Sequence, residues 1–227
     1  MFPFITKTWN PLGGKCQHQC VYCWSMGEKG LVNQYNMEKY HGNPFLVEKE
    51  LHRKFSKDDF VFVQDMSDLF ADNVPMKLIL RIFEVVTNQL DTKFLFLTKN
   101  PKRYWSIIRK IGEGHFPPNA ILGTTIETNL KTANISLAPQ PNDRLNALMD
   151  MPFTKFVSIE PILKFDLNEF ENSLANIPCL ESVAVGYDNY GYKLPEPTLA
   201  QTLQLIEKLV SWATVYPKTL RKAWWEK

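Results

Sequence analysis

FVFVQDMSD, residues 60–68, runs four β-branched or aromatic residues straight into a cluster of polar ones. A short apolar run of this kind reads as a strand buried on both faces, and the polar cluster reads as the loop that leaves it. The same grammar returns along the chain. FLFLTKN (94–100) ends in Thr98, Lys99 and Asn100, and ILGTTIETN (121–129) ends in Thr125, Glu127 and Asn129. FVSIEP (156–161) ends in Ser158 and Glu160, VAVGYDN (183–189) in Tyr187 and Asp188, and VYPK (215–218) in Lys218. Strand candidates are therefore Ile5 to Trp9, Phe60 to Gln64, Lys93 to Leu97, Ala120 to Thr125, Lys155 to Ile159, Ser182 to Val185 and Ala213 to Tyr216. Helical periodicity falls between them, near Pro44 to Phe55, Met76 to Leu90, Pro101 to Ile111, Asn142 to Met149, Leu167 to Leu174 and Thr198 to Trp212.

Strands alternating with helices predict an α/β fold with a parallel sheet. In such a fold the carboxyl ends of the strands converge on one face, where ligand sites are built. Six successive polar clusters would then meet on one rim. Asp, Asn, Ser and Thr also serve ordinary turns and helix caps, and Asn43 before Pro44 and Asn100 before Pro101 read as such caps. Capping does not account for Lys99, Glu127 or Glu160.

The chain has 227 residues, 44% of them hydrophobic, enough for a sizeable core, and neither repeat nor linker divides it, so one domain over 1–227 is expected. A net charge of +2 argues against a protein that grips a long nucleic-acid backbone and favours a small-molecule substrate. MFPFITKTWNP lacks the features of a signal peptide, and no run is long enough to span a bilayer, which points to a cytoplasmic protein with no membrane partner.

KCQHQCVYCW, residues 15–24, places three cysteines in the loop after the first strand, on the same rim. Three residues separate Cys16 from Cys20 and two separate Cys20 from Cys23. Thiolates at this spacing can wrap an iron-sulfur cluster or another metal. A structural zinc site would need a fourth ligand, from His18 or His41. Cys179, far away after Pro178, reads as a buried core thiol.

The C-x3-C-x2-C loop, with the aromatic Tyr22 immediately before its last cysteine, resembles the signature of the radical S-adenosylmethionine (SAM) superfamily. The resemblance implies a partial (β/α) TIM-like barrel of about six or seven parallel strands. It also implies a 4Fe-4S cluster on Cys16, Cys20 and Cys23, with SAM chelating the fourth iron. One electron then cleaves SAM to methionine and a 5'-deoxyadenosyl radical that takes hydrogen from the substrate. Members of the superfamily usually carry a glycine-rich, acid-ended motif after the second strand of the barrel to hold the SAM amino group. QDMSD fills that place without glycines and offers Asp65, Ser67 or Asp68 as acceptors. TTIET resembles the ribose-binding position, with Glu127 facing the ribose hydroxyls and Thr125 assisting. Lys99 would pair with the SAM carboxylate or a substrate anion, while Glu160 and Asp188 would face the substrate and carry its chemistry.

TWNP, MSDLF, FLFLTKNPKRY, GTTIETN, SIEPIL and KTLRKAWWE together look like a group of small radical SAM proteins distantly similar to spore photoproduct lyase. Within that resemblance the expected substrate is nucleobase-like, and the specific expectation is queuine lyase chemistry, in which a carbon-nitrogen bond of a modified 7-deazaguanine base is split. Tyr22, Trp24 and Tyr187 would stack on the base. The expected electron donor is a flavodoxin or ferredoxin. The alternatives are a repair lyase for a nucleic-acid lesion and a zinc-stabilised α/β binding module without enzymatic activity.

Overall fold

The computed structural model of the protein describes residues 1–227. Seven parallel strands form one sheet in the order β1 (Lys7–Trp9), β4 (Phe60–Val63), β5 (Lys93–Thr98), β6 (Ala120–Thr125), β7 (Lys155–Ile159), β8 (Leu180–Val185) and β9 (Thr214–Pro217). Each strand lies beside the next one in the sequence, so the winding never reverses and the sheet curls into a half-barrel rather than a doubly wound sheet. β1 and β9 are its two unpaired edges. All seven strands expected from the sequence are present, two with the expected bounds and five with one or both ends moved by one or two residues.

Five helices follow the later strands: α2 (Met76–Thr87), α3 (Lys102–Ile111), α4 (Pro141–Met149), α5 (Leu167–Ala175) and α6 (Leu199–Leu209). Local chemistry sets their ends. Thr198 and Gln201 form a reciprocal capping box at the start of α6, and the Asp166 carboxylate accepts the Glu169 N–H at 2.9 Å at the start of α5. Pro141 opens α4, and Gly112, at φ +85°, ends α3. In α2 the buried residues Ile79, Ile82, Phe83 and Val86 repeat at helical spacing and face the sheet.

The sheet is apolar on both faces, as its continuous hydrophobic strands require. Val61, Val63, Phe94, Phe96, Val157, Ile159, Val183 and Val185 join the helices in a core of 37 buried residues. The alternate residues, among them Phe60, Phe62, Leu95, Leu97, Phe156 and Tyr216, line the inner face. There Phe2 and Phe4 from the N-terminal segment fill the barrel's lower interior. Their rings stack at 5.7 Å, Phe2 meets Phe156 edge-on at 4.8 Å, and Phe4 lies 4.6 Å from Tyr216. This aromatic plug gives the space above it a floor.

Three expectations give way. Pro44 to Phe55 is not a helix: β3 (Phe45–Leu46) pairs antiparallel with β2 (Leu12–Gly13), and only a 3-10 turn, Glu48–His52, follows. The Phe45 ring covers Gly13 so closely that a Cβ there would come within 2.4 Å of it, so tertiary pairing overrides local propensity. Asn100 does not cap α3; its amide donates to the Phe70 carbonyl at 3.1 Å and to Asp72 at 2.9 Å. Cys179 is exposed, at a turn with φ +57° whose carbonyl accepts the Lys155 N–H at 2.9 Å. A short helix, α1 (Leu31–Gln34), is an element that periodicity did not reveal. No helix is long and apolar enough to cross a membrane.

Candidate active site

Between β1 and β4 the chain makes no long crossover helix. It makes the β2–β3 ribbon and the cysteine loop, which leans over the carboxyl ends of the strands. Beneath it lies a cavity of about 540 Å³. Cys16, Cys20 and Cys23 line it together with Gln64, Asp65, Ser67, Asp68, Lys99, Thr125, Glu160, Asp188 and Lys218. The polar rim inferred strand by strand thus becomes one chamber. Its apolar wall includes Phe2, Trp24, Phe62, Leu97, Tyr187 and Tyr190.

The three cysteines carry free thiols. Burial, with the nearby Asp68 charge, pushes the Cys16 thiol up to about 12, and burial raises Cys20. All three also border a second, smaller recess of about 290 Å³ on the other side of the loop, beside Lys15, Val21, Glu28 and Tyr192. The loop is therefore a thin wall between two openings. No three His, Cys, Asp or Glu side chains gather tightly enough to hold a single metal ion. His18 is committed elsewhere, its Nε2 lying 2.8 Å from Asp68, and His41 is exposed on the ribbon side. The three thiols share one cavity wall and are the side chains that would hold a metal or iron-sulfur group there.

The acids of the rim differ in how fully they are engaged. Asp68 is buried and takes hydrogen bonds from His18 (2.8 Å), the Thr98 hydroxyl (2.8 and 2.9 Å), the Lys99 N–H (2.8 Å) and the Phe70 N–H (2.9 Å). Burial opposes its charge, but His18 and these donors hold its carboxyl below the usual range. Glu127 is 2% exposed and is not among the cavity-lining residues. Its Oε1 accepts from Lys99 Nζ at 2.9 Å and from the Tyr22 hydroxyl, and its Oε2 from Arg144 at 2.7 Å. Burial again opposes ionisation, yet Lys99 and Arg144 hold the carboxyl at about 2. Lys99 serves both acids and lies 5.2 Å from the centre of the Tyr22 ring. Thr125 points to the cavity while its carbonyl accepts from Arg144.

Asp65 and Glu160 are less engaged. Asp65 receives one side-chain hydrogen bond, from Asn10 at 2.6 Å, and burial raises its pKa. Ser67 accepts from the Gln64 amide at 2.8 Å and retains its hydroxyl proton for another partner. Glu160 pairs with Lys218 at 2.9 Å across the chamber mouth. Gly186 makes room for that pair, since a Cβ there would lie 3.0 Å from Glu160 Oε1 and 3.1 Å from Lys218 Cβ. Asp188 instead accepts the N–H groups of Tyr190 (3.0 Å) and Tyr192 (2.7 Å), an arrangement that shapes its own loop. The Tyr187 hydroxyl bonds Thr202 at 2.7 Å, which fixes the ring in the core edge.

Sequence reasoning missed Arg144, Asn10 and the engagement of His18. Asn10 follows a strand just as the other rim residues do, so the same rule applied to TWNP would have found it. Arg144 sits among polar neighbours in α4 and gives no signal of being 2% exposed.

The fold is shared with solved structures of spore photoproduct lyase. One, with bound AdoMet and dinucleoside spore photoproduct, superposes with a TM-score of 0.56 at 10% identity, over 92% of this chain and 63% of that one. A second, complexed with dinucleoside spore photoproduct, gives 0.53 at 11% identity, over 87% and 59%. The chain therefore spans about three fifths of the length of these structures. No curated protein matches the sequence. Residues 2–188 match the model of the family described as "Protein of unknown function (DUF5131)", and the chain belongs to that family.

Proposed function

We propose that the protein is a radical SAM enzyme that acts on a nucleobase-like substrate. The observation that carries this is the meeting of three free thiols, Cys16, Cys20 and Cys23, with lightly engaged polar groups in one chamber at the carboxyl ends of a half-barrel. In this reading the three thiolates hold a 4Fe-4S cluster. A cluster with an open iron, with SAM bound to it, supplies one-electron cleavage chemistry that initiates hydrogen abstraction.

The chain's own residues would do the rest. Asp65 and the remaining lone pair of the Ser67 hydroxyl are acceptors with capacity to spare for the SAM ammonium, and Thr125 offers a hydroxyl to the ribose. Lys99 reaches a SAM or substrate carboxylate only in competition with Glu127, and Glu127 meets ribose hydroxyls only if Lys99, Arg144 or Tyr22 yields. Asp68, with four donors on its two oxygens, is an acceptor already filled. Glu160 and Lys218 together present an acceptor and a cation to the substrate end, and Trp24, Phe62 and Tyr190 offer faces for an aromatic ring. A flavodoxin or ferredoxin would approach the cysteine loop from the 290 Å³ recess, away from the substrate.

Anaerobic reconstitution with iron and sulfide tests the class. The expected result is a brown protein that converts SAM to 5'-deoxyadenosine on reduction and loses both properties in Cys16→Ala, Cys20→Ala and Cys23→Ala. A colourless protein holding one zinc and leaving SAM intact sinks the reading. Substrate identity is tested in parallel with queuine and with an oligonucleotide carrying a thymine lesion, following product mass. Queuine is the substrate the sequence resemblance suggested. The lesion is favoured by the fold shared with structures that hold dinucleoside spore photoproduct, and turnover of it alone would replace queuine lyase by a repair lyase.

A further inference from the structure

We infer that His18–Asp68 and Tyr22–Glu127 are two buried clamps that hold the cysteine loop in its ligand-presenting shape before any cluster binds. The inference rests on the reading of Cys16, Cys20 and Cys23 as cluster ligands and adds what keeps them in place.

Residues 14–30 contain no helix or strand, so conformational entropy favours a floppy loop unless something opposes it. Two clamp residues flank the central ligand symmetrically: His18 stands two residues before Cys20 and Tyr22 two residues after it. Both are buried, at 4% and 8% exposure, although they belong to a loop. Each ends on a carboxylate that is itself fixed to a strand end. Asp68 is pinned by the Thr98 hydroxyl and the backbone N–H groups of Lys99 and Phe70. Glu127 is pinned by Lys99 and Arg144. Lys99 joins the two clamps, with its N–H on Asp68, its ammonium on Glu127, and the same ammonium against the Tyr22 ring. Outside the clamps the loop is tied by the buried Ser25 hydroxyl, which donates to the Met66 carbonyl at 2.6 Å, and by two backbone bonds to 135–137, Val21 N–H to Ile135 (2.9 Å) and Leu137 N–H to His18 (2.7 Å). Glu127 thus occupies the place from which the resemblance leads one to expect ribose binding, and the geometry makes it a positioning residue for the thiols instead.

The test uses the full apo chain and reads thiol reactivity, which needs no cluster. Iodoacetamide labelling is followed peptide by peptide, with exposed Cys179 as the internal reference. In the wild type, Cys20 is expected to react at least about tenfold more slowly than Cys179; in Tyr22→Phe and in His18→Phe it should react about tenfold faster than in the wild type, with the Cys179 rate unchanged. Tyr22→Phe removes one hydroxyl and leaves the ring, so it tests the clamp even if His18→Phe folds poorly. In the reconstituted Tyr22→Phe protein, iron loss to a chelator should accelerate by about the same factor, and the electron paramagnetic resonance signal of the reduced cluster should shift. If Cys20 in the apo wild type labels as fast as Cys179, or if Tyr22→Phe leaves its rate within about twofold, the clamps do not hold the loop and the inference falls. Protected thiols in a protein that takes up no cluster would overturn the proposed function instead and leave the clamps standing.

Discussion

Five carboxylates follow strands of the half-barrel; Asp188 shapes its own loop, and the other four divide into two pairs by the company they keep. Asp68 and Glu127 are buried and surrounded by donors from the cysteine loop, the strand ends and α4. Asp65 and Glu160 are half-buried, face the chamber, and have one strong partner each, Asn10 and Lys218. All four look alike in the sequence, as acids in the loop after a strand. The difference teaches that donor count separates an acid that builds the site from one that serves it. An acid with its lone pairs filled by fixed groups orients its neighbours, whereas an acid with spare capacity beside a cavity can exchange a partner for a ligand.

Substitutions can break this contrast, the largest effect coming first. Glu127→Ala leaves Lys99 and Arg144 buried without their counter-charge and is expected to cost about 3–5 kcal/mol in urea unfolding. An equal loss in Asp65→Ala would erase the distinction between the pairs.

Acid titration sharpens it further. Glu127 falls from an ordinary 4.5 to about 2 in the folded protein, so its stabilisation is complete above about pH 4.5 and is lost as pH falls towards 2. Asp68, also lowered, acts in the same sense. Asp65 acts in the opposite sense, because a raised carboxyl pKa makes the fold less stable as pH rises through it. Chemical unfolding between pH 2 and 5 should therefore show a shallower acid limb in Glu127→Gln. In Asp65→Asn the acid limb should persist, with slightly greater stability at neutral pH.

Function should divide the other way. Asp65→Asn is expected to weaken SAM binding about tenfold, measured by equilibrium dialysis on reconstituted protein, with less than about 1 kcal/mol change in stability. Glu160→Gln should leave SAM cleavage without substrate intact and lower substrate-dependent turnover by a similar factor, again with little effect on unfolding. The smallest effect is expected for Cys179→Ser, within about 0.5 kcal/mol of wild type and with unchanged iron content, since that thiol lies outside both pairs and is exposed.

The half-barrel was legible in the sequence because its strands are buried on both faces, and only short apolar runs ending in polar clusters satisfy that burden. FVFV, FLFL and FVSI announced themselves before any contact was known. The segment from Pro44 to Phe55 misled because its apolar residues suit a helix as well as a ribbon, and the decision rested on Gly13, more than thirty residues away. The rim was legible as a set and illegible member by member. Nothing local distinguishes Glu127 from Glu160, for their roles are assigned by Arg144 and Lys218, which other elements carry in. The sequence offers His18 as a fourth ligand for a zinc site, but its partner is the Asp68 carboxylate, fifty residues away, and no spacing rule connects them.

Gln64 holds a glycine-like turn without a glycine. The resemblance leads one to expect glycines after FVFV, and none is there. Yet Gln64 adopts φ +61°, a torsion that favours glycine and that other residues usually avoid. Its side chain offsets the strain by bonding both backbone groups of Leu12, at 2.9 and 3.0 Å, and the Ser67 hydroxyl at 2.8 Å. A glycine would adopt that angle without strain but would bring neither the two bonds to Leu12 nor the one to Ser67, so this turn ties the end of β4 to β2 through a side chain.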